Sequence, residues 1–190
     1  MTEPSAGLLV CPEAELPADL AAQVHALEAR AWPGSVAGHD PALAPRVMLL
    51  ADPAGAVLAS LALLYKPVVV AGRSHRAAGL SAVVTRDDLR GRGIGARLVA
   101  AARAELAADP AVDVALFSCD RPLAPFYEAA GFTVLPGTVL VGGTPREPLA
   151  TDAPGFDKTV LGAFFAPGTD AAAFTGVRIP LYPGTVDRLW

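Results

Sequence analysis

Cysteine is nearly missing from this chain of 190 residues, which has Cys11 and Cys119 only. Two thiols this far apart make no disulfide framework, and they lack the paired spacing of a zinc site. Histidine is almost as scarce. His25, His39 and His75 are scattered and read as ordinary surface or core residues, so no structural metal is expected. Charged residues are 18% of the chain against 53% hydrophobic, which excludes disorder by charge excess. Long apolar runs are missing too: the greasiest stretch, Ala56 to Tyr65, is interrupted by Ser60 and followed by Lys66 and Pro67. That is well short of the roughly 18 apolar residues of a spanning helix, and no basic start followed by an apolar core marks a secretion signal. A soluble, cytoplasmic protein without a membrane partner is expected. The 15 basic and 19 acidic residues leave a net charge of −4, without the basic footprint of a nucleic-acid-binding domain.

Glycine and proline, 18 of each, punctuate the chain without forming a low-complexity segment, a repeat or a linker. One domain over residues 1–190 is expected at this length. Gly7 to Cys11 reads as a strand, and Leu16, Leu20, Val24, Leu27 and Ala31 recur at helical spacing until Pro33-Gly34. Ser35 to Pro45 is a loop or broken helix. Strands are predicted at Val47 to Ala51 and Ala56 to Tyr65, with a further pair, Val68 to Ala71 and Ala78 to Thr85, across Gly72-Arg73-Ser74. A helix follows from Gly93 to Ala108, a strand from Val112 to Cys119, a short helix from Pro122 to Ala130 and a strand from Phe132 to Val141. Gly142 to Pro154 is polar and Pro-rich. Val160 to Phe165 and Gly176 to Tyr182 read as strands, ahead of a tail from Thr185 to Trp190. Antiparallel strands followed by a strand–helix–strand–helix–strand centre argue for a mixed α+β sheet.

The chemistry-bearing run is Leu80 to Gly95, L-S-A-V-V-T-R-D-D-L-R-G-R-G-I-G. Its glycines let backbone approach a ligand closely, and the helix they open presents unpaired N–H groups. Arg90, Arg92 and Arg97 add donors for phosphate oxygens. Together these suit a pyrophosphate. A dinucleotide-binding unit would place G-x-G-x-x-G after the first strand, whereas Gly91, Gly93 and Gly95 follow several strands. A glycine-rich helix start with surface arginines remains the plain alternative.

R-G-R-G-I-G resembles the R/Q-x-x-G-x-G/A motif of the GNAT superfamily of N-acetyltransferases, and P-F-Y-E-A-A-G-F from Pro125 to Phe132 resembles that family's tyrosine helix and following strand. The two motifs and what lies between them cover Leu80 to Phe132. The resemblance implies a central mixed sheet of about 6–8 strands flanked by helices, with two central parallel strands splayed apart around acetyl-coenzyme A. It implies pyrophosphate contacts at Arg90, Gly91, Arg92, Gly93, Ile94 and Gly95, and a pantetheine arm along Val83, Val84 and Thr85. The Val83 N–H would polarise the thioester carbonyl. Tyr127 would protonate the leaving thiolate, which the matching basicities of phenol and thiol allow. Cys119, with no histidine close in sequence, is expected to fill the core rather than carry an acyl group.

The run S-A-V-V-T-R-D-D-L-R-G-R-G, the tyrosine helix and a terminal tryptophan are also similar to aminoglycoside 2′-N-acetyltransferases. That likeness implies a small cationic amine acceptor held by Ser81, Asp40, Asp187 and Trp190, with residues 156–190 completing the acceptor side. Those enzymes carry a glutamate where Ser81 stands here, and a serine hydroxyl alone cannot deprotonate an ammonium ion. Either the base is one of Asp40, Asp120, His39 and the C-terminal carboxylate, although Asp120 is expected to cap the helix after it, or the substrate amine arrives already neutral. Two other readings stay open: a non-catalytic acyl-coenzyme A-binding module, and a scaffold whose strands pair two copies as a homodimer.

Overall fold

The computed structural model describes residues 6–182. Seven strands form one mixed sheet: β1 (Gly7–Pro12), β2 (Arg46–Ala51), β3 (Val57–Val70), β4 (Arg73–Thr85), β5 (Val114–Asp120), β9 (Lys158–Phe164) and β6 (Thr133–Val134), in that order across the sheet. A second sheet of three short strands joins β10 (Arg178–Pro180), β7 (Val139–Gly143) and β8 (Pro148–Ala150). The helices are α1 (Ala18–Ala31), α2 (Ile94–Ala108), α3 (Ala124–Glu128) and α4 (Ala171–Phe174).

Strand alternation decides which helix covers which face. Val47 and Leu49 of β2 pack in one cluster with Val24 and Leu27 of α1. Met48 and Leu50, the alternate residues, join Leu98, Val99, Ala102 and Leu106 of α2 in the main core. The sheet is thus sandwiched between α1 and α2, and its inner strands are apolar on both faces.

Three sequence expectations are corrected. Pro67 does not end a strand: β3 runs through it and pairs Pro67 with Arg76. The β2 ladder stops at the Arg46–Leu63 pair, so the N–H that proline lacks breaks no β2 contact. The hairpin accordingly turns at Ala71-Gly72, both at positive φ, and β4 begins at Arg73. The strand expected from Phe132 to Val141 is two strands in different sheets, parted at Pro136-Gly137. Inside the polar stretch 142–154, β8 folds back on β7, pairing Val141 with Ala150.

β4 and β5 are the parallel neighbours at the centre, and they separate almost at once. Their pairing consists of Ala77 with Val114 and Ala78 with Ala115. Beyond it, β4 stays on β3 as far as Thr85 and β5 stays on β9 as far as Asp120. A bulge sits on the diverging part of β4. Ser81 faces Ala62 and Val84 faces Ser60, so Ala82 and Val83 together oppose Leu61, with Ala82 at φ +50°. Such a bulge bends a strand and re-aims its side chains.

Candidate active site

The splay leaves two strand edges facing each other across a wedge, from Gly79 onward on β4 and from Leu116 onward on β5. Backbone groups on such edges need partners, and an extended ligand arm can supply them. Ala82 and Val83 have no one-to-one partner in the β3 register on this stretch, and both line the cleft described below.

The Arg90–Gly95 turn lies at the end of β4, after a short 3-10 helix over Asp87–Leu89. Gly91 and Gly93 have φ of +74° and +78°, and a Cβ at either would meet nothing within 4 Å. They therefore provide the backbone shape that glycine allows and face open space. The first turn of α2 closes with the Arg97 N–H donating to the Gly93 carbonyl at 2.9 Å, so the N–H groups of Ile94 and Gly95 belong to the unpaired first turn. Arg90 and Arg92 are exposed, and Arg90 pairs with Asp87 at 2.8 Å. Arg97 is directed elsewhere, since its guanidinium donates to the Ala6 carbonyl at 2.6 Å. Gly95 is buried, and a Cβ there would lie 2.7 Å from Thr85 Oγ1, so this glycine lets α2 start against the end of β4.

A cleft of about 290 Å³ opens beside the wedge, lined by Ser81, Ala82 and Val83 of β4, Ser118, Cys119 and Asp120 of β5, and Tyr127 of α3. Tyr127 is buried, with Phe117 and Phe126 edge-on at 5.0 and 4.9 Å. Burial first, then the Cys119 and Asp120 charges, push its phenol well above the ordinary tyrosine value, so it stays protonated and able to donate. Cys119 is pushed up to about 11 by burial and by Asp120, against the opposing Lys158. A thiol held protonated is a poor nucleophile, in line with a core-filling role.

The expected cap at Asp120 is not formed. Its carboxylate instead meets Lys158 Nζ at 2.8 Å, directly across the β5–β9 ladder. Asp40 accepts from the Ala42 N–H at 2.9 Å and caps the 3-10 helix Pro41–Leu43; it does not line the cleft. Asp187 and Trp190 lie outside the described residues.

His39 departs from the ordinary histidine expected of it, although it was also a base candidate. It lines the cleft, with Nε2 3.1 Å from Ser81 Oγ and Nδ1 2.8 Å from Glu13 Oε1. The His39 backbone N–H also donates to Glu13 Oε2, at 3.0 Å. Burial pushes the Glu13 carboxyl up, and the hydrogen bonds from His39 overcome this, leaving it below the ordinary glutamate value. Sequence reasoning missed Glu13. It sits on a 3-10 turn between β1 and α1, and no local pattern ties it to a histidine 26 residues on. The other histidines are ordinary: His25 is exposed and His75 is buried edge-on to Phe174.

Residues 54–134 match the family model of the acetyltransferase (GNAT) domain, a segment holding the bulge, the Arg90–Gly95 turn and Tyr127. The solved structures extend the likeness to most of the chain. The fold is that of the GNAT acetyltransferases. The structure of the GNAT family N-acetyltransferase YhbS from Escherichia coli in complex with CoA has a TM-score of 0.59 at 19% identity, over 96% of this chain and 93% of that one. An acyl-CoA N-acyltransferase from Pseudomonas aeruginosa gives 0.57 at 16% identity, over 83% and 99%. Escherichia coli ElaA gives 0.56 at 12%, over 83% and 98%. Among curated proteins none matches. At these identities the likeness concerns the GNAT fold, and the mixed sheet with splayed parallel strands is the architecture expected from the sequence.

Proposed function

We propose that this chain is an acetyl-coenzyme A-dependent N-acetyltransferase acting in the cytoplasm on a primary amine. The observation that carries the reading is the wedge between β4 and β5, which has a glycine-shaped helix start at its end and a protonated, buried tyrosine on its wall. The residues fit coenzyme A. Side chains at 91 and 93 would occupy open space in front of the α2 N-terminus, where the backbone favours an anion, and the free edge of β4 suits an amide-bearing arm.

When bound, acetyl-coenzyme A supplies a thioester acetyl group. The Val83 N–H polarises a carbonyl at the bulge, and Tyr127 Oη holds the proton that a departing thiolate takes up. Glu28 and Asp120 bring carboxylates to the cleft lining alongside Lys158, with Glu13 behind His39. That balance favours a cationic acceptor. Trp32, Val36 and Leu123 are exposed large apolar side chains on the same lining, which favours an amine with an apolar body over the aminoglycoside-like sugar suggested by the sequence.

The test is calorimetric titration of acetyl-coenzyme A into the protein and into Gly93→Asp, followed by a free-thiol release screen of amines that includes an aminoglycoside. Micromolar binding abolished by the added carboxylate, with thiol release on an amine, is the expected result. No binding by the parent protein overturns the reading, and binding without turnover on any amine leaves a non-catalytic binder.

A further inference from the structure

Glu13, His39 and Ser81 come from three separate segments: the 3-10 turn after β1, the loop before β2, and the bulged strand β4. They meet in one line whose last residue, Ser81, lines the cleft. We infer that Glu13–His39–Ser81 is the proton relay that deprotonates the incoming ammonium group of the acceptor. This inference deepens the acetyltransferase reading and rests on it.

The hydrogen-bond directions follow from the partners. An ionised carboxylate only accepts, so Glu13 fixes the proton of His39 on Nδ1. Nε2 is then a lone pair, and the Ser81 hydroxyl must donate to it. That leaves the lone pairs of Ser81 Oγ, on a residue that lines the cleft, as acceptors for an N–H. When the ammonium arrives, one N–H bond breaks and its proton goes to Ser81 Oγ while the former Oγ proton moves to His39 Nε2. The amine keeps the electron pair and becomes a neutral nucleophile. The imidazolium formed is met by the Glu13 carboxylate 2.8 Å away. A serine cannot be the final base, but with an imidazole behind it the hydroxyl conducts the proton to one that can be.

The local build supports a fixed device. His39 is held twice by one carboxylate, through its ring and its own N–H. The Glu13 N–H is tied to the Pro45 carbonyl at 2.9 Å. Gly38, at φ +78°, lets the loop fold over the carboxylate: a Cβ there would sit 3.6 Å from Glu13 Oε2. Ser81 and His39 are the catalytic residues here, and Glu13 is a positioning residue. The other titratable groups facing this space are Glu28 of α1, Cys119 and Asp120 of β5, Tyr127 of α3 and Lys158 of β9, with His25 of α1 acting on Glu13 from a distance.

Two amines of similar shape test the relay, 2-phenylethylamine, charged at neutral pH, and 4-methylaniline, neutral there. They are compared on the parent protein, Ser81→Ala, Ser81→Thr, His39→Gln and Glu13→Gln, with acetyl-coenzyme A affinity measured for each. Expected is a loss of roughly 10²-fold in kcat/KM on the charged amine for His39→Gln and Ser81→Ala. The neutral amine should change little, Ser81→Thr should recover the rate, and cofactor affinity should be unchanged. Imidazole nitrogen NMR of the ligand-free protein should show His39 as the Nδ1–H tautomer, lost in Glu13→Gln. Equal losses on both amines, or none, overturn the relay while transfer itself stands. Finding Ser81 acetylated after quenching also overturns it, by making the serine a nucleophile. A parent protein that binds acetyl-coenzyme A and acetylates no amine removes the transferase reading, and the relay with it.

Discussion

Gly95 on α2 and Thr85 at the end of β4 approach so closely that a Cβ on the glycine would lie 2.7 Å from Thr85 Oγ1. Helix propensity alone would make Gly95→Ala stabilising by about 1 kcal/mol. The contact opposes that, because a β-branched side chain has little rotamer freedom with which to move aside. Overpacking of this kind costs about 1–3 kcal/mol, so the contact should win. Denaturant titration should show Gly95→Ala destabilised, and Thr85→Ala in the same chain should recover part of the loss. A stabilised single variant would show that α2 can shift away from β4.

Tyr127→Phe should lower turnover by about 10²-fold while leaving acetyl-coenzyme A affinity and the melting temperature nearly unchanged. The ring keeps its packing against Phe117 and Phe126, and only the proton donor is lost. Because burial raises the phenol above its ordinary value, the parent rate should show no alkaline decline from Tyr127 at moderately basic pH. Turnover unchanged by the substitution would remove Tyr127 from the reaction.

The glycine turn and the tyrosine of the candidate site could be read in the sequence because each is local. Gly91 and Gly93 carry their conformation in the residue type, and Tyr127 follows in a short motif. The line of Glu13, His39 and Ser81 could not, because it is assembled from distance. Glu13 meets His39 across 26 residues, and His39 meets Ser81 across 42; no periodicity records either. Asp120 misled for a similar reason. A carboxylate ahead of a helix looks like a cap, but β9 places Lys158 opposite it, and an ion pair competes with the cap. Pro67 misled in the other direction, since its strand has lost its β2 neighbour there and tolerates the missing donor.

Glu13 should also register as a pH-dependent contribution to stability. Its folded-state pKa is below the ordinary value, so the unfolded chain binds the proton more readily. The stabilisation is therefore present above the ordinary glutamate pKa, about 4.3, and is lost as pH falls through the lower folded-state value. Melting curves of the parent and Glu13→Gln should differ most near neutrality and converge on acidification. A difference independent of pH would mean that the His39 contact does not depend on the charge.

Cys119 offers a check on direct transfer. With its thiol pushed up to about 11, roughly one molecule in a thousand carries the thiolate at pH 8. Iodoacetamide should therefore label Cys119 far more slowly than a free thiol, and Cys119→Ala should keep its turnover. Rapid labelling, or loss of activity in that variant, would reopen an acyl-cysteine route.

Trp32, Val36 and Leu123 come from the end of α1, the loop after it and the 3-10 turn before α3, yet all three are exposed on the lining of one cleft. Isolated exposed apolar residues carry little meaning, but three gathered at one opening mark a contact surface. An amine with an aromatic body should bury part of Trp32, whereas a short alkylamine should not reach it. Truncating Trp32 to Ala should therefore raise KM for 2-phenylethylamine by about tenfold, the equivalent of roughly 1.4 kcal/mol of lost contact, with kcat little changed. The KM for ethylamine should stay as it was. Because the side chain is already exposed in the free protein, the fold should be unaffected, and a matching melting temperature would confirm that the change is confined to binding. Equal KM changes for both amines would show that Trp32 shapes the cleft as a whole, and no change for either would place the acceptor's apolar body elsewhere.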